Sequence, residues 1–332
     1  MHTNITTESG ALRILSRRDL DKLDYSPADV LRVVEGAYAG YGAGLSANPR
    51  KLTVQPDDAR SVAYAMLGRD GERETVAIKT SYKFGAGGER AAQKYYTSLM
   101  LYDDASGLPI ALMDCSLVGS LRTPAVSALI ARASAAPDAA TALVVGCGTQ
   151  GQGALPFLVE AMPQLERLVI HGNHADGIAA AQDAMQRFHP GRRIEMSRDL
   201  RASAQAADII VGAAGPGARE TVRNDWLKPG ALAILVGYGL HAELLHRADY
   251  RIATSAAQMQ VTGTDLADDE GRLPAVNAEL PDILLGRKPG RLDARQRVFA
   301  YNSGMVITDI ALGRVFAERA QAQGLGRTVA LW

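Results

Sequence analysis

Residues 141–161, TALVVGCGTQGQGALPFLVEA, carry an apolar stretch into three spaced glycines and then into a segment of helical length. Thr141 to Gly146 reads as a buried strand, and the G-x-G-x-x-G of Gly146, Gly148 and Gly151 falls where that strand gives way to a helix. Each glycine answers its own steric demand: Gly146 the tight turn, Gly148 the close approach of a pyrophosphate to backbone, Gly151 the packing of helix on strand. A diphosphate would then rest at a helix N-terminus, where unpaired N–H groups favour negative charge. Gly153 and Pro156 disturb this pattern, because proline inside a helix costs about 3 kcal/mol. They predict a helix that is kinked or starts late.

Outward from the loop, Arg167 to His171, Ala207 to Val211 and Ala231 to Gly237 are further short apolar runs separated by helix-length segments. Strands alternating with helices predict a parallel sheet covered on both faces. Cofactor choice should be written after the second strand, LVIHGNHADG, where a carboxylate would accept the ribose hydroxyls of NAD and repel the extra phosphate of NADP. Asn173 and His174 stand there, and the first acid is Asp176. The expectation is NAD or NADP, leaning to NADP.

The flanks read differently. A polar helix is expected over 26–41, then strand-like runs at Arg50 to Val54, Val62 to Leu67, Thr75 to Lys79 and Thr97 to Tyr102, with turns at Asp103-Asp104 and Ser106-Gly107. Ser81 to Tyr96, which contains FGAGGER, reads as a loop. Val298 to Ala322 has a helical period, with Ile307, Ile310, Ala311, Val315 and Phe316 on one side. These flanks amount to α+β, without internal repeats or low-complexity tracts.

The 332 residues favour two domains, each able to bury its own core. Apolar residues at 47% and charged residues at 22% describe an ordinary globular chain. Lys plus Arg equals Asp plus Glu at 36 each, so no net field draws in nucleic acid or an anionic membrane. Cys115 and Cys147 cannot form a secreted protein's disulfide framework. The N-terminus lacks a basic start followed by an apolar stretch, and no run approaches the roughly 20 apolar residues of a membrane span. The chain is therefore expected in the cytoplasm.

Taken together with ANPRKL at Arg50, VAIK at Lys79, LRTPAVSAL at Arg122 and Thr123, LLGRKPGR, and YNSGMVITDIALGRVFAERA, the loop VVGCGTQG makes the chain resemble the ornithine cyclodeaminase and mu-crystallin family over nearly its whole length. The resemblance implies a homodimer, with a Rossmann-type parallel-sheet domain (122–309) inserted into an α+β dimerisation and substrate domain built from both chain ends (1–121 plus 310–332). It implies a substrate carboxylate held by Arg50 and Lys79 beside Met66. Cofactor contacts are implied at Thr97, Arg122, Thr123, Thr149-Gln150, Ala214, Val236 to Tyr238 and Asn302-Ser303, together with Gly146, Gly148, Gly151, Asn173 and His174. No metal is expected. Fixed cations beside a hydride-transfer site suit this chemistry: an Arg fork aligns two donors and Lys supplies a point charge. Without the resemblance, Lys79 at the end of Val76-Ala77-Ile78 would read as a lysine snorkelling from a strand end.

The chain also departs from the family pattern. Members that cyclise ornithine carry an aspartate after the fifth strand in a segment like GGDxPGKxEL; here the segment reads VGYGLHAEL, with Tyr238 and Gly239 in its place. A second acid, expected near the strand running into Met66, is replaced by Tyr64. A substrate amine would be left uncompensated, so a neutral amino or imino acid is expected, with hydride transfer at its α-carbon. Acid/base function would come from Lys79, Tyr238, His241 or Glu243. Alternatives are an ornithine cyclodeaminase using Asp265, Asp268 or Asp269, a siderophore-type amino-acid conjugate dehydrogenase, and a non-catalytic NADP-dependent binding protein.

Overall fold

The computed structural model describes residues 11–58, 61–84 and 95–331. The chain forms β1 (Ala11–Leu15), α1 (Arg17–Leu20), α2 (Pro27–Gly42), β2 (Leu52–Val54), β3 (Ser61–Asp70), β4 (Thr75–Phe84), β5 (Tyr95–Asp103), β6 (Pro109–Asp114) and α3 (Ser116–Ser134). Alternation follows: β7 (Thr141–Val145), α4 (Thr149–Ala161), β8 (Arg167–His171), α5 (Ala175–Phe188), β9 (Glu195–Met196), α6 (Leu200–Ala206), β10 (Ile209–Gly212), β11 (Leu232–Leu235), α7 (Glu243–Arg247), β12 (Tyr250–Ala253), α8 (Ala256–Thr262), β13 (Ala278–Glu279), α9 (Leu280–Leu284) and β14 (Val298–Tyr301). Then come α10 (Val306–Ala322) and β15 (Arg327–Ala330). Two compact units result: the first takes the described residues of Met1–Tyr25, Gly36–Gly119 and Met305–Trp332, the second Ser26–Glu35 and Ser120–Gly304.

In the first unit the strand order is β15-β1-β6-β5-β4-β3-β2. β1 and β6 run parallel and the other neighbours antiparallel. Successive side chains of a strand point to opposite faces: Thr75, Ala77, Lys79 and Ser81 are buried, as are Thr97, Leu99 and Leu101, whereas Ile78, Tyr82 and Tyr96 are exposed. Helix α10 covers the buried face. It lies close because glycine faces it: a Cβ on Gly68 would come within 2.6 Å of Val306, and one on Gly313 within 2.5 Å of Leu99.

The second unit holds an eight-stranded parallel sheet in the order β13-β12-β14-β11-β10-β7-β8-β9. From β7 the chain builds outward through β8 and β9, then returns to place β10 and β11 on the other side. That reversal between β7 and β10 is the switch point where such sheets bind ligands at their carboxyl ends. The fold is thus α/β, a Rossmann-type sheet inserted into an α+β unit made from both chain ends. β7, β10, β11 and β14 are buried on both faces, so they read as continuous apolar runs rather than alternating ones.

Several elements differ from the sequence expectation. Val298 to Tyr301 is a strand rather than the start of a helix, because VFAY fills the slot between β11 and β12. An apolar run this short carries no period that separates strand from helix, and the break comes at Gly304, with φ +64. Pairing from Ser61↔Phe84 to Asp70↔Thr75 makes β3 and β4 ten residues each. Ser81–Phe84 and Tyr95–Tyr96 therefore belong to strands, Lys79 sits in mid-strand, and the rest of the expected loop, 85–94, lies outside the described residues. Helix α4 begins directly after Gly148 and accommodates Pro156, so it does not start late. Gly153 has a packing role there: a Cβ would lie 3.1 Å from Pro124 of α3.

Candidate functional site

The glycine loop has the geometry its spacing demands. Gly146 takes φ +112, and a Cβ there would sit 2.5 to 2.6 Å from the backbone of Ala213 and Ala214. A Cβ on Gly151 would fall 1.9 Å from the Gly146 carbonyl oxygen. Gly148 differs, since a Cβ would meet nothing within 4 Å. Two glycines are thus required by packing, and the third opens onto space at the exposed start of α4, beside Thr149 and Gln150. Cys147 is wedged below: Cβ atoms on Gly172 and Gly177 would collide with it, and its Sγ lies 3.5 Å from the His174 carbonyl oxygen. These features fit a diphosphate at the switch point.

The other expected cofactor residues of the second unit gather on the same carboxyl edge. Ala214 and Tyr238 exchange backbone hydrogen bonds of 3.0 Å, and Val236 and Gly237 both donate to the Gly212 carbonyl. Asn302 follows β14 and is buried; its Nδ2 donates to the Thr123 carbonyl at 3.1 Å and to Ser127 Oγ at 3.0 Å. Its Oδ1 is buried without a hydrogen-bond partner among the described residues, an acceptor suited to an amide N–H. Ser303 is tied to Thr254 through side chain and backbone. Gly304 lies against Arg122, whose guanidinium nitrogen would sit 2.4 Å from a Cβ there. Asn173 and His174 are exposed after β8, with Asp176 in the first turn of α5.

The expected substrate residues and Thr97 lie in the first unit. Lys79 pairs in register with Met66 of β3 and Leu99 of β5. It is 3% exposed, and its Nζ lies 2.7 Å from Oδ1 of Asp309 on α10, itself 1% exposed. Cys115 Sγ approaches the same Oδ1 at 3.8 Å. One pair along, the buried hydroxyls of Ser81 and Thr97 bond at 3.0 Å. Arg50 is exposed just ahead of β2. Asn48, two residues before it, accepts from the Ile307 N–H at 3.3 Å and so ties that loop to the start of α10. Lys51 stacks 4.4 Å from the Tyr64 ring centroid. Burial pushes the Lys51 ammonium below its ordinary range; burial and then Tyr95 push the Tyr64 phenol above its own.

Sequence reasoning missed two residues of this geometry or left them undecided. Asp309 was legible only as a lone acid in the apolar face ITDIALG, and charges that deep are paired. Asp265, between α8 and β13, brings Oδ2 to 3.2 Å from the Tyr238 hydroxyl. A carboxylate thus returns to the Tyr238 position from 27 residues away. Tyr301 lies nearby, its phenol pushed up by burial and secondarily by Asp265 and Tyr238. Elsewhere, Glu243 accepts from the Asn224 N–H, and Arg291 of LLGRKPGR donates to the carbonyls of Ser134, Gly230 and Ala294. No group of three His, Cys, Asp or Glu suited to a metal occurs among the described residues, and no described helix is long and apolar enough to cross a membrane.

A mixed sheet with a buried lysine–aspartate pair, joined to a dinucleotide-type sheet with an open glycine loop, defines a two-unit α/β protein of the nucleotide-dependent enzyme class. The chain belongs to the ornithine cyclodeaminase/mu-crystallin family, whose model matches residues 13–324. It is 23% identical over 320 residues to the nodulation efficiency protein NfeD of Rhizobium meliloti, covering 96% of this chain and 98% of that protein. Its fold matches the Thermococcus litoralis Delta(1)-pyrroline-2-carboxylate reductase, solved with NADH and L-proline, with a TM-score of 0.82 and 22% identity over 96% and 100% of the two chains. It likewise matches an archaeal alanine dehydrogenase dimer with bound NAD, with a TM-score of 0.83 and 18% identity over 97% and 100%.

Proposed function

We propose that this protein is an NAD(P)-dependent enzyme that transfers hydride at the α-carbon of an α-amino or α-imino acid, as an amino-acid dehydrogenase or ketimine reductase. The observation that carries the reading is the opening at Gly148 on the switch point of the parallel sheet, with Asn302 Oδ1 on the same edge, buried and without a partner among the described residues. Gly146 to Gly151 hold the diphosphate, Asn173 and His174 flank the adenosine ribose, and Arg122, Thr123, Ala214, Val236 to Tyr238, Asn302 and Ser303 frame the nicotinamide side; Thr97 remains a cofactor residue by family resemblance. When bound, the nicotinamide accepts or donates the hydride. With no carboxylate at 173 or 174, the chain tolerates the 2′-phosphate of NADP as well as NAD. The reductase and dehydrogenase among the similar structures were solved with NADH and NAD, which supports the coenzyme class.

Arg50 and Lys79 hold the substrate carboxylate, with Met66 beside them, and so convert orientation into rate. In the oxidative direction the α-carbon loses hydride and the amino nitrogen a proton. Water then adds to the iminium, and ammonia leaves a keto acid. In the reductive direction an imine gains both. The second unit is the dinucleotide domain, and the first, which takes the whole of α10 and so moves the expected boundary from 309 back to Gly304, the substrate and dimerisation domain. The outer face of β2 to β5 is apolar, with Leu52 71% and Val54 72% exposed beside Ile78 and Tyr82. A hollow of about 650 Å³ opens among Leu52, Val54, Ala63, Tyr82 and Tyr96. A second copy of the chain covers that face in the proposed homodimer; the exposed apolar side chains support this, and the alanine dehydrogenase of similar fold is a dimer. No disulfide joins Cys115 and Cys147, which suits the cytoplasm.

The purified protein is expected to reduce NAD or NADP with a member of an amino-acid panel, or to oxidise the reduced coenzyme with an imino acid, followed by absorbance of the reduced nicotinamide. The absence of both signals despite coenzyme binding would overturn the reading. Lys79→Ala should lower kcat/KM by about 100-fold or more while dinucleotide affinity stays within about twofold; equal loss of both would misplace the clamp. A second reading, the ornithine cyclodeaminase reaction, is favoured by Asp265 at the Tyr238 hydroxyl, and release of ammonia and proline from ornithine without net coenzyme reduction would select it.

A further inference from the structure

The pair at the centre of the first unit is costly to fold. Removing a carboxylate and an ammonium from water costs several kcal/mol each, and an aliphatic pair of the same volume avoids that cost. Lys79 nevertheless sits in mid-strand between Met66 and Leu99, under α10, with Asp309 2.7 Å away and the Cys115 thiol 3.8 Å from the same carboxylate oxygen. Asp309 is held in turn by a helix whose first turn is anchored through Asn48, in the loop that carries Arg50. The clamp loop, the lysine and the aspartate are therefore connected through one helix.

We propose that Asp309 is a positioning residue for the reaction: it fixes Lys79 Nζ as a charge-compensated ammonium, so that Lys79 serves as a hydrogen-bond donor to the substrate carboxylate while Arg50 supplies the net positive charge. The inference rests on the reading of Lys79 as a substrate residue. It also assigns a role that the sequence left open, because a lysine held by a carboxylate at 2.7 Å is a donor and not the general base. A substrate carboxylate reaching Lys79 meets a pair of zero net charge, which orients it without supplying most of the attraction.

Among the described residues, these titratable and charged groups face the pair. On the same sheet face β3 presents Tyr64, with Lys51 over its ring; β6 leads into Cys115; β5 ends in Asp103; and farther along α10 stand Arg314 and Glu318. Arg314 is engaged by Glu318 at 2.7 Å, with Asp103 at 3.7 Å. Asp309 makes direct contact with Lys79.

The experiment compares Asp309→Asn and Asp309→Glu with the unaltered protein by two measurements. The pH profile of kcat/KM is expected to lose its alkaline plateau in D309N, with the limb moving down by about one pH unit or more, because burial alone then opposes the charged lysine. Glu at 309 should return the limb toward its original place. A uniform loss across pH in D309N, with no movement of the limb, would reduce Asp309 to a structural part and overturn the proposal. The second measurement needs no substrate: carbon-13 NMR of the lysine ε-carbons, with Lys79 assigned through Lys79→Arg, should show Lys79 charged through neutral pH in the unaltered protein and discharging earlier in D309N. An unmoved Lys79 signal overturns the proposal even if turnover is seen. A moved signal in a protein that turns over no amino acid upholds the pairing and sinks the assigned function instead.

Discussion

Two carboxylates meet two candidate active groups in this molecule, and they do so in opposite surroundings. Asp309 reaches Lys79 in the first unit with both side chains almost wholly buried. Asp265 reaches Tyr238 in the second unit where both are exposed. Each acid comes from a distant segment, so neither pairing follows from local spacing. The difference lies in the solvent. Inside, the charges depend on each other, because an unpartnered one has no water to fall back on; at the surface, water substitutes readily for either partner. The buried pair is suited to fixing geometry, and the open pair to meeting different ligands.

The widest test of this contrast is stability. Asp309→Ala should cost about 3–5 kcal/mol in urea unfolding, whereas Lys79→Met with Asp309→Leu should restore most of it, since removing both charges removes the desolvation burden. Next comes the glycine loop. Gly148→Val should leave the melting temperature nearly unchanged, since a Cβ there meets nothing within 4 Å, yet weaken dinucleotide binding by about 10- to 100-fold in calorimetry. Unchanged affinity would show that the opening is not used.

A smaller effect is expected at the amino end of the same sheet. Asp208 takes N–H bonds from Ala140 and Thr141 and an ion pair from Lys228 at 2.6 Å. Burial raises its carboxyl pKa, but these partners outweigh burial and hold it below the ordinary value. A lowered folded-state value stabilises the protein above the ordinary carboxylate range, near pH 4, and the gain is lost as pH falls through the folded-state value. Asp208→Asn should therefore cost about 1 kcal/mol at neutral pH and nothing in strong acid. Smallest of all, Asp265→Asn should change stability by less than about 0.5 kcal/mol. A large stability loss would erase the distinction drawn between the two pairs.

Much of the second unit was legible in the chain. A parallel sheet buried on both faces needs continuous apolar runs, and the steric needs of Gly146 and Gly151 are local enough to be written as spacing. The first unit was harder to read. Its strands are half-exposed, β3 and β4 extend by pairing with each other, and Val298–Tyr301 could not be told from a helix by period. The loop glycines were identified together, whereas Asp309 was seen only as a position near a boundary. LLGRKPGR helped to place the chain in its family, yet its Arg291 serves carbonyls of the fold.

The sequence by itself determined the class of sheet, the glycine loop and the family, because those depend on residues close together in the chain and on side-chain volume. Only the tertiary structure decided that Lys79 is buried and paired, that Asp265 returns a carboxylate to Tyr238, and that Gly148 alone of the three loop glycines faces open space. Contacts across 230 or 27 residues leave no periodic trace, and the energy of a charge is set by the solvent that folding removes from around it.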